Sequence, residues 1–192
     1  MLGTEEQSDD MDWTDEHDLV GAARAGDHEA WEVLYRRVYS RLRAYVVRRI
    51  GQPLADDVMG ETLTRAVEGI ARLDLEQGGF DAWIFGIARH VCADQHRRAF
   101  RRKFSADDLV QPDLIDSARL PGEALEGDVD QARVRRLFAM LSADERELLQ
   151  LRVMAGLSAE EVAAVVGRSP GAVRTAQSRA LAHLRRLWES GL

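Results

Sequence analysis

Between Ser142 and Trp188 nearly every helix start and stop is spelled out in residues, which confines this stretch to short helices joined by tight turns. Ser142 and Glu145 have capping-box spacing, and Gly156 marks the end of the helix they open. Ser158 and Glu161 repeat the box, with Leu157 and Val162 placed as a hydrophobic staple across it. Gly167 supplies a left-handed residue to end a helix over Ala159–Val166, and Ser169 caps the next, with Pro170 at its first position. A short helix, a Gly-containing turn and a longer Arg-bearing helix make the unit that lays its second helix in a DNA major groove. An ordinary helical hairpin in a bundle carries the same signals, so this segment alone leaves both readings open.

Composition narrows the rest. The 192 residues allow one large domain or two small ones, and 45% hydrophobic content is enough for real cores. The single cysteine, Cys92, excludes a disulfide framework within one chain and fits a reducing compartment. No apolar run is long enough to span a membrane, and the acidic amino terminus is unlike a signal peptide. A soluble cytoplasmic protein without membrane insertion is the expectation. Five scattered histidines, with no HExxH, Walker loop or nucleophile elbow, predict no catalytic residue, metal site or cofactor.

The net charge of −7 argues against nucleic acid until it is divided along the chain. Residues 1–18 hold eight acids and no Lys or Arg, and residues 105–130 hold eight acids against Arg119. Residues 19–104 carry 15 basic and 11 acidic residues, and residues 131–192 carry 10 and 6. Two mildly basic blocks are thus preceded and separated by acidic ones, which can compete with DNA for them. The polar stretch 1–16 reads as a disordered tail and 105–130, with two of the four prolines, as a flexible linker. Without β-alternation, the expectation is all-α, with two small helical domains over 17–104 and 131–192.

The first block has three strong helical patterns. Trp31, Leu34, Tyr35, Val38, Leu42, Tyr45 and Val46 recur at helical spacing until Gly51 and Pro53 break the run. Met59, Leu63, Ala66, Val67 and Ile70 mark a second helix from near Ala55, with Asp56 and Asp57 at its positive end. After a loop over Leu75–Gly79, a third helix from about Asp81 buries Ile84, Ile87, Ala88, Val91 and Cys92. Its other face carries His90, Asp94, Arg97 and Arg101, and six Lys or Arg lie between Arg89 and Lys103. That basic end suits phosphates, although a solvated helix terminus would look the same.

In order, AGDHEAWEVLYRRVYSRLRAYVVRRIG, ADDVMGETLTRAV, FDAWIFGIARHVCADQHRR and the Ser142–Trp188 segment resemble the extracytoplasmic-function sigma factors of bacterial RNA polymerase. The resemblance runs from about Leu19 to Trp188, the linker excepted, and PGEAL at Pro121–Leu125 is also typical. It implies a region 2 helical bundle, an acidic linker and a region 4 helix-turn-helix. It implies that Asp56, Asp57, Glu61 and Thr62 dock on a β′ coiled coil of core RNA polymerase, while region 4 meets the β flap. Phe80, His90, Asp94, Arg97, Arg98 and Arg101 match positions near single-stranded −10 DNA. Ser169, Arg174, Thr175, Ser178 and Arg179 match positions on −35 duplex. Promoter DNA, core polymerase and an anti-sigma factor are the partners the resemblance implies.

Departures limit what can be carried over. His90 replaces a common Asn, Gly86 a usual Arg and Gly60 a common Gln, while Ala176 and Gln177 also differ. No promoter sequence therefore follows. The rival is a stand-alone helix-turn-helix regulator with a helical sensor domain, which accounts for 131–192 but leaves the earlier motifs unexplained.

Overall fold

The computed structural model describes residues 15–105 and 129–190, with side chains over 15–101 and 133–190. The tail through residue 14, the linker from 106 to 128, and the side chains of Arg102 and Lys103 lie outside the described residues. Every regular element among the described residues is helical.

Helix α1 (Glu16–Arg24) starts where Asp15 accepts the His17 N–H at 3.0 Å. Helix α2 (His28–Ile50) starts where Asp27 accepts from Glu29 and Ala30. It ends at Gly51, whose φ of 84° is open to glycine and strained for other residues. Helix α3 (Gln52–Gly69) follows at once. Pro53 begins α3 and is not a break: in the first turn its missing N–H has no intrahelical partner to lose. Two 3₁₀ turns, Ile70–Arg72 and Leu75–Gln77, lead into α4 (Gly79–Ser105). Helices α2, α3 and α4 pack on one another, with α1 against α2.

The C-terminal part holds α5 (Val129–Ala139), α6 (Ala143–Leu149), α7 (Ala159–Val166) and α8 (Pro170–Glu189). Both capping boxes form in full. Gly156 and Gly167 take φ of 71° and 67°. Helix α6 runs on into a π-turn over Gln150–Met154, closed by Ala155 N–H donating to the Gln150 carbonyl.

One apolar core joins Leu34, Leu42, Tyr45 and Phe85 to Leu151, Leu157, Val162 and Val173. The two helical units are therefore docked on each other, with α7 lying on α4. A smaller cluster of Leu141, Leu149 and Ala180 belongs to the C-terminal unit alone. Two apolar residues at helical spacing are exposed: Val67 of the α3 pattern at 57% and Leu181 of α8 at 45%. Periodicity tells which way a side chain points, and in these two cases no element covers it.

Candidate nucleic-acid interface

Three surfaces carry the residues of interest. The first is a cavity of about 390 Å³ beside the start of α4, with Arg72, Asp74, Gln77, Trp83 and His90 in its wall. Gly78 and Gly79, at φ 99° and 72°, turn the chain into α4. A Cβ on Gly78 would stand 2.9 Å from that of Ala82. Glu16 accepts the Phe80 N–H at 2.8 Å. Glu16 thus belongs to the folded unit, closing the α4 N-terminus, and not to a disordered tail.

Phe80, matched by resemblance to a position near −10 DNA, and Trp83 differ in exposure. Phe80 is buried, with its ring against Trp31 and Trp83, and offers nothing to a base. Half-buried Trp83 provides the aromatic wall of the cavity. Two turns further, exposed His90 donates Nδ1–H to the Gly86 carbonyl at 2.7 Å, which directs the other ring nitrogen away from its own helix.

Asp94 is ion-paired with two arginines. Arg97 hydrogen-bonds it and holds its carboxyl below the ordinary value, with Arg65 contributing at 3.3 Å. Arg65 also reaches Glu61 at 2.6 Å, and Arg98 lies 3.7 Å from the same carboxylate. The expected DNA residues Asp94, Arg97 and Arg98 and the expected polymerase residue Glu61 thus form one ionic network between α3 and α4. Arg101 is exposed beyond it.

The second surface is the outer face of α3. Asp57 is exposed at its centre, with exposed Leu54 and Val67 at its edges. Asp56, also exposed, stands 3.6 Å from Arg43. Thr62 faces the interior: it is fully buried and donates its hydroxyl to the Val58 carbonyl at 2.7 Å. Sequence reasoning missed Leu54, whose signal was an apolar residue on the same helix face as Asp57.

The third surface is the outer face of α8, where Arg174, Thr175, Ser178 and Arg179 are all exposed. The Ser169 hydroxyl accepts from Ala172 N–H, and Thr175 donates to the Gly171 carbonyl. Arg174 lies 2.8 Å from Glu160 of α7. The backbone N–H of Glu160 and then Arg174 hold the Glu160 carboxyl below its ordinary value. Arg152 donates to Gln177 at 2.8 Å and to the Leu157 carbonyl, tying the π-turn to α8. Neither Glu160 nor Arg152 stood out in the sequence, because their partners are fixed by tertiary packing.

Comparison with known proteins bears on these surfaces. The Sigma-70 region 2 family matches residues 34–103, and the Sigma-70, region 4 family matches residues 131–184. The ECF RNA polymerase sigma factor SigD of Mycobacterium tuberculosis is 39% identical over 175 residues, spanning 87% of this chain and 81% of SigD. The chain belongs to the extracytoplasmic-function sigma factors. ShbA of Streptomyces griseus, in the same family, is 35% identical over 181 residues, with 89% and 94% of the two chains aligned. Among solved structures, CnrH in complex with the cytosolic domain of CnrY superposes at a TM-score of 0.65 and 26% identity, over 91% and 97% of the chains. RpoE of Bartonella quintana, in complex with the anti-sigma factor NepR, gives 0.64 and 26%, over 83% and 96%. Like its family, the chain directs promoter-specific initiation of transcription by RNA polymerase. No described helix is long and apolar enough to cross a membrane.

Proposed function

We infer that the three surfaces divide the work of initiation. The exposed face of α3 around Asp57 docks on a basic β′ coiled coil, where complementary charge sets orientation and association rate. The Trp83–His90 cavity and the basic end of α4 hold the −10 element as unstacked single strand. An aromatic wall and nearby cations are what such binding needs. The exposed face of α8 reads −35 duplex through Arg174, Thr175, Ser178 and Arg179, each Arg suited to a guanine edge. The apolar groove between α5 and α8, lined by Val134, Phe138, Leu184 and Trp188, suits the β flap. The protein works in the cytoplasm, catalyses no reaction itself and, like RpoE, is held by an anti-sigma protein.

One observation carries this reading: an aromatic cavity with a basic helix end and a fully capped helix-turn-helix occur in one chain. The test is transcription by purified core polymerase on a pool of randomised promoters, with and without the protein. Transcripts that depend on the protein and share two spaced elements are the expected result. Absence of any such transcript would return the chain to the stand-alone regulator reading.

A further inference from the structure

Helix α7 opens with two acids that do different things. Glu161 closes the capping box on the Ser158 N–H, so α7 has its cap without Glu160. Glu160 instead reaches α8, where its Oε1 accepts from Arg174 Nη1 at 2.8 Å. An exposed carboxylate beside a DNA-reading face repels phosphates and lowers affinity for every sequence. Stability does not explain its place. The side chains of Glu160 and Arg174 are 63% and 59% exposed, and ion pairs that open to water contribute little.

The geometry of the contact does explain it. The bond is made by Nη1 alone, which leaves Nε–H and Nη2–H side by side on the other edge of the Arg174 guanidinium. That two-donor edge matches the O6 and N7 acceptors of guanine. The carboxylate is itself held in place. It accepts from its own backbone N–H and then from Arg174, and Arg152 adds its charge, which together keep the carboxyl below its ordinary value and ionised. Arg152 is anchored in turn, with Nε–H donating to Gln177 Oε1 at 2.8 Å and Nη1 to the Leu157 carbonyl. An unheld arginine on a groove-facing helix can swing to the flanking phosphates, which carry no sequence information. Arg174 cannot swing away without breaking a charge-assisted hydrogen bond. That bond strengthens when docked DNA excludes water from it.

We propose that Glu160 is a positioning residue for promoter recognition: it presents the free edge of Arg174 to one base pair and so turns general phosphate affinity into selectivity for guanine. This role rests on the reading of α8 as the −35 helix. Glu160 touches no base itself. Selectivity is a difference of affinities, and the carboxylate acts on both sides of it. It fixes the donor pair for the right base, and it repels the phosphates of every wrong sequence.

The test uses the full chain bound to core polymerase, and duplexes carrying the upstream element shared by its transcripts. Affinity for that element is compared with affinity for each single-base replacement and for random duplex. The chains compared are the parent, Arg174→Ala, Glu160→Ala, Glu160→Gln and the double alanine variant. Arg174→Ala identifies the guanine that Arg174 reads, as the position where discrimination is lost. At that position Glu160→Ala should lower discrimination about tenfold while random duplex binds more tightly. Glu160→Gln, whose amide oxygen can still accept from Nη1, should keep most of the discrimination and share the tighter binding of random duplex. The double variant should lose no more discrimination than Arg174→Ala alone. A merely structural role, an acid at the positive end of α7, would lower the melting temperature and leave discrimination unchanged in Glu160→Ala. That outcome overturns the positioning role while leaving Arg174 on the −35 element. A further loss on adding Glu160→Ala to Arg174→Ala overturns it too, since the carboxylate would then act elsewhere. Arg174→Ala without a position-specific loss removes the −35 reading of Arg174 itself, and the role of Glu160 with it.

Discussion

Glu61 and Asp57 sit one turn apart on α3 yet stand in different surroundings. Asp57 is exposed, whereas Glu61 is engaged by Arg65 and Arg98 and through Arg65 reaches Asp94. Reversal to Lys should therefore act differently at the two positions. Asp57→Lys is expected to slow association with core polymerase, with a steep salt dependence, and to leave the melting temperature alone. Glu61→Lys should weaken polymerase binding and also lower the melting temperature, since it sets a cation against two arginines. Equal melting temperatures for the two variants would show that the network does not tie α3 to α4. Titration gives a second prediction at this scale. Burial holds His96 below its ordinary value, partly offset by its hydrogen bond to the Arg49 carbonyl. The unfolded chain then takes up the proton at higher pH than the folded one, so stability is fully present above about pH 6.5 and falls as pH drops below it. His96→Gln, which can still donate to that carbonyl, should flatten the fall in urea midpoint between pH 7.5 and 5.5. A slope identical to that of the parent chain would remove His96 from the acid response. Charge type and helix phase were legible at these positions. The pairing of Glu61 with Arg98 was not, because it joins residues from two helices whose packing no local pattern records.

The helix-turn-helix was the element most open to reading because its signals are local. Ser158 with Glu161, Ser169 with Pro170, and the glycines at 156 and 167 all occupy the roles that sequence assigned to them. Ser158→Ala should cost about 1 kcal/mol, since it removes the acceptor for Glu161 N–H and half of a reciprocal pair. Urea unfolding measures this as a lower midpoint at constant slope. No change in midpoint would mean that packing alone fixes the start of α7. Two features of the same region escaped. The π-turn at Gln150–Met154 turns α6 into a helix with two partners. Leu148 and Leu151 join the large core, while Leu149 joins the small cluster with Ala180. A single apolar stripe in the sequence cannot say that its members are divided between two neighbours. Proline misled at Pro53 for a related reason: it forbids a helix interior but favours a first turn, and only the chain direction at Gly51 decides between them.

At the scale of the whole molecule, all-α character and two helical units were legible, but their docking was not. Leu151, Leu157 and Val162 read as the core of one small domain and serve a core that spans both. Charge is distributed on the same scale, and it acts on DNA at a distance. Residues 1–14 carry five acids and no Lys or Arg, and residues 105–130 are acidic as well, against an excess of four positive charges in each reading block. Non-specific affinity for duplex comes almost entirely from phosphate attraction, so tethered carboxylates should weaken it. That effect acts through water and fades as the Debye length shrinks from about 30 Å at 0.01 M salt to about 8 Å at 0.15 M. Salt dependence therefore isolates the contribution of the tail. A chain lacking residues 1–14, but keeping the Asp15 and Glu16 that cap α1 and α4, should bind random duplex more tightly than the full chain at low salt. The gap should close as salt rises. Equal affinities of truncated and full chains at 0.01 M salt would show that the acidic tail exerts no field on the DNA-reading surfaces.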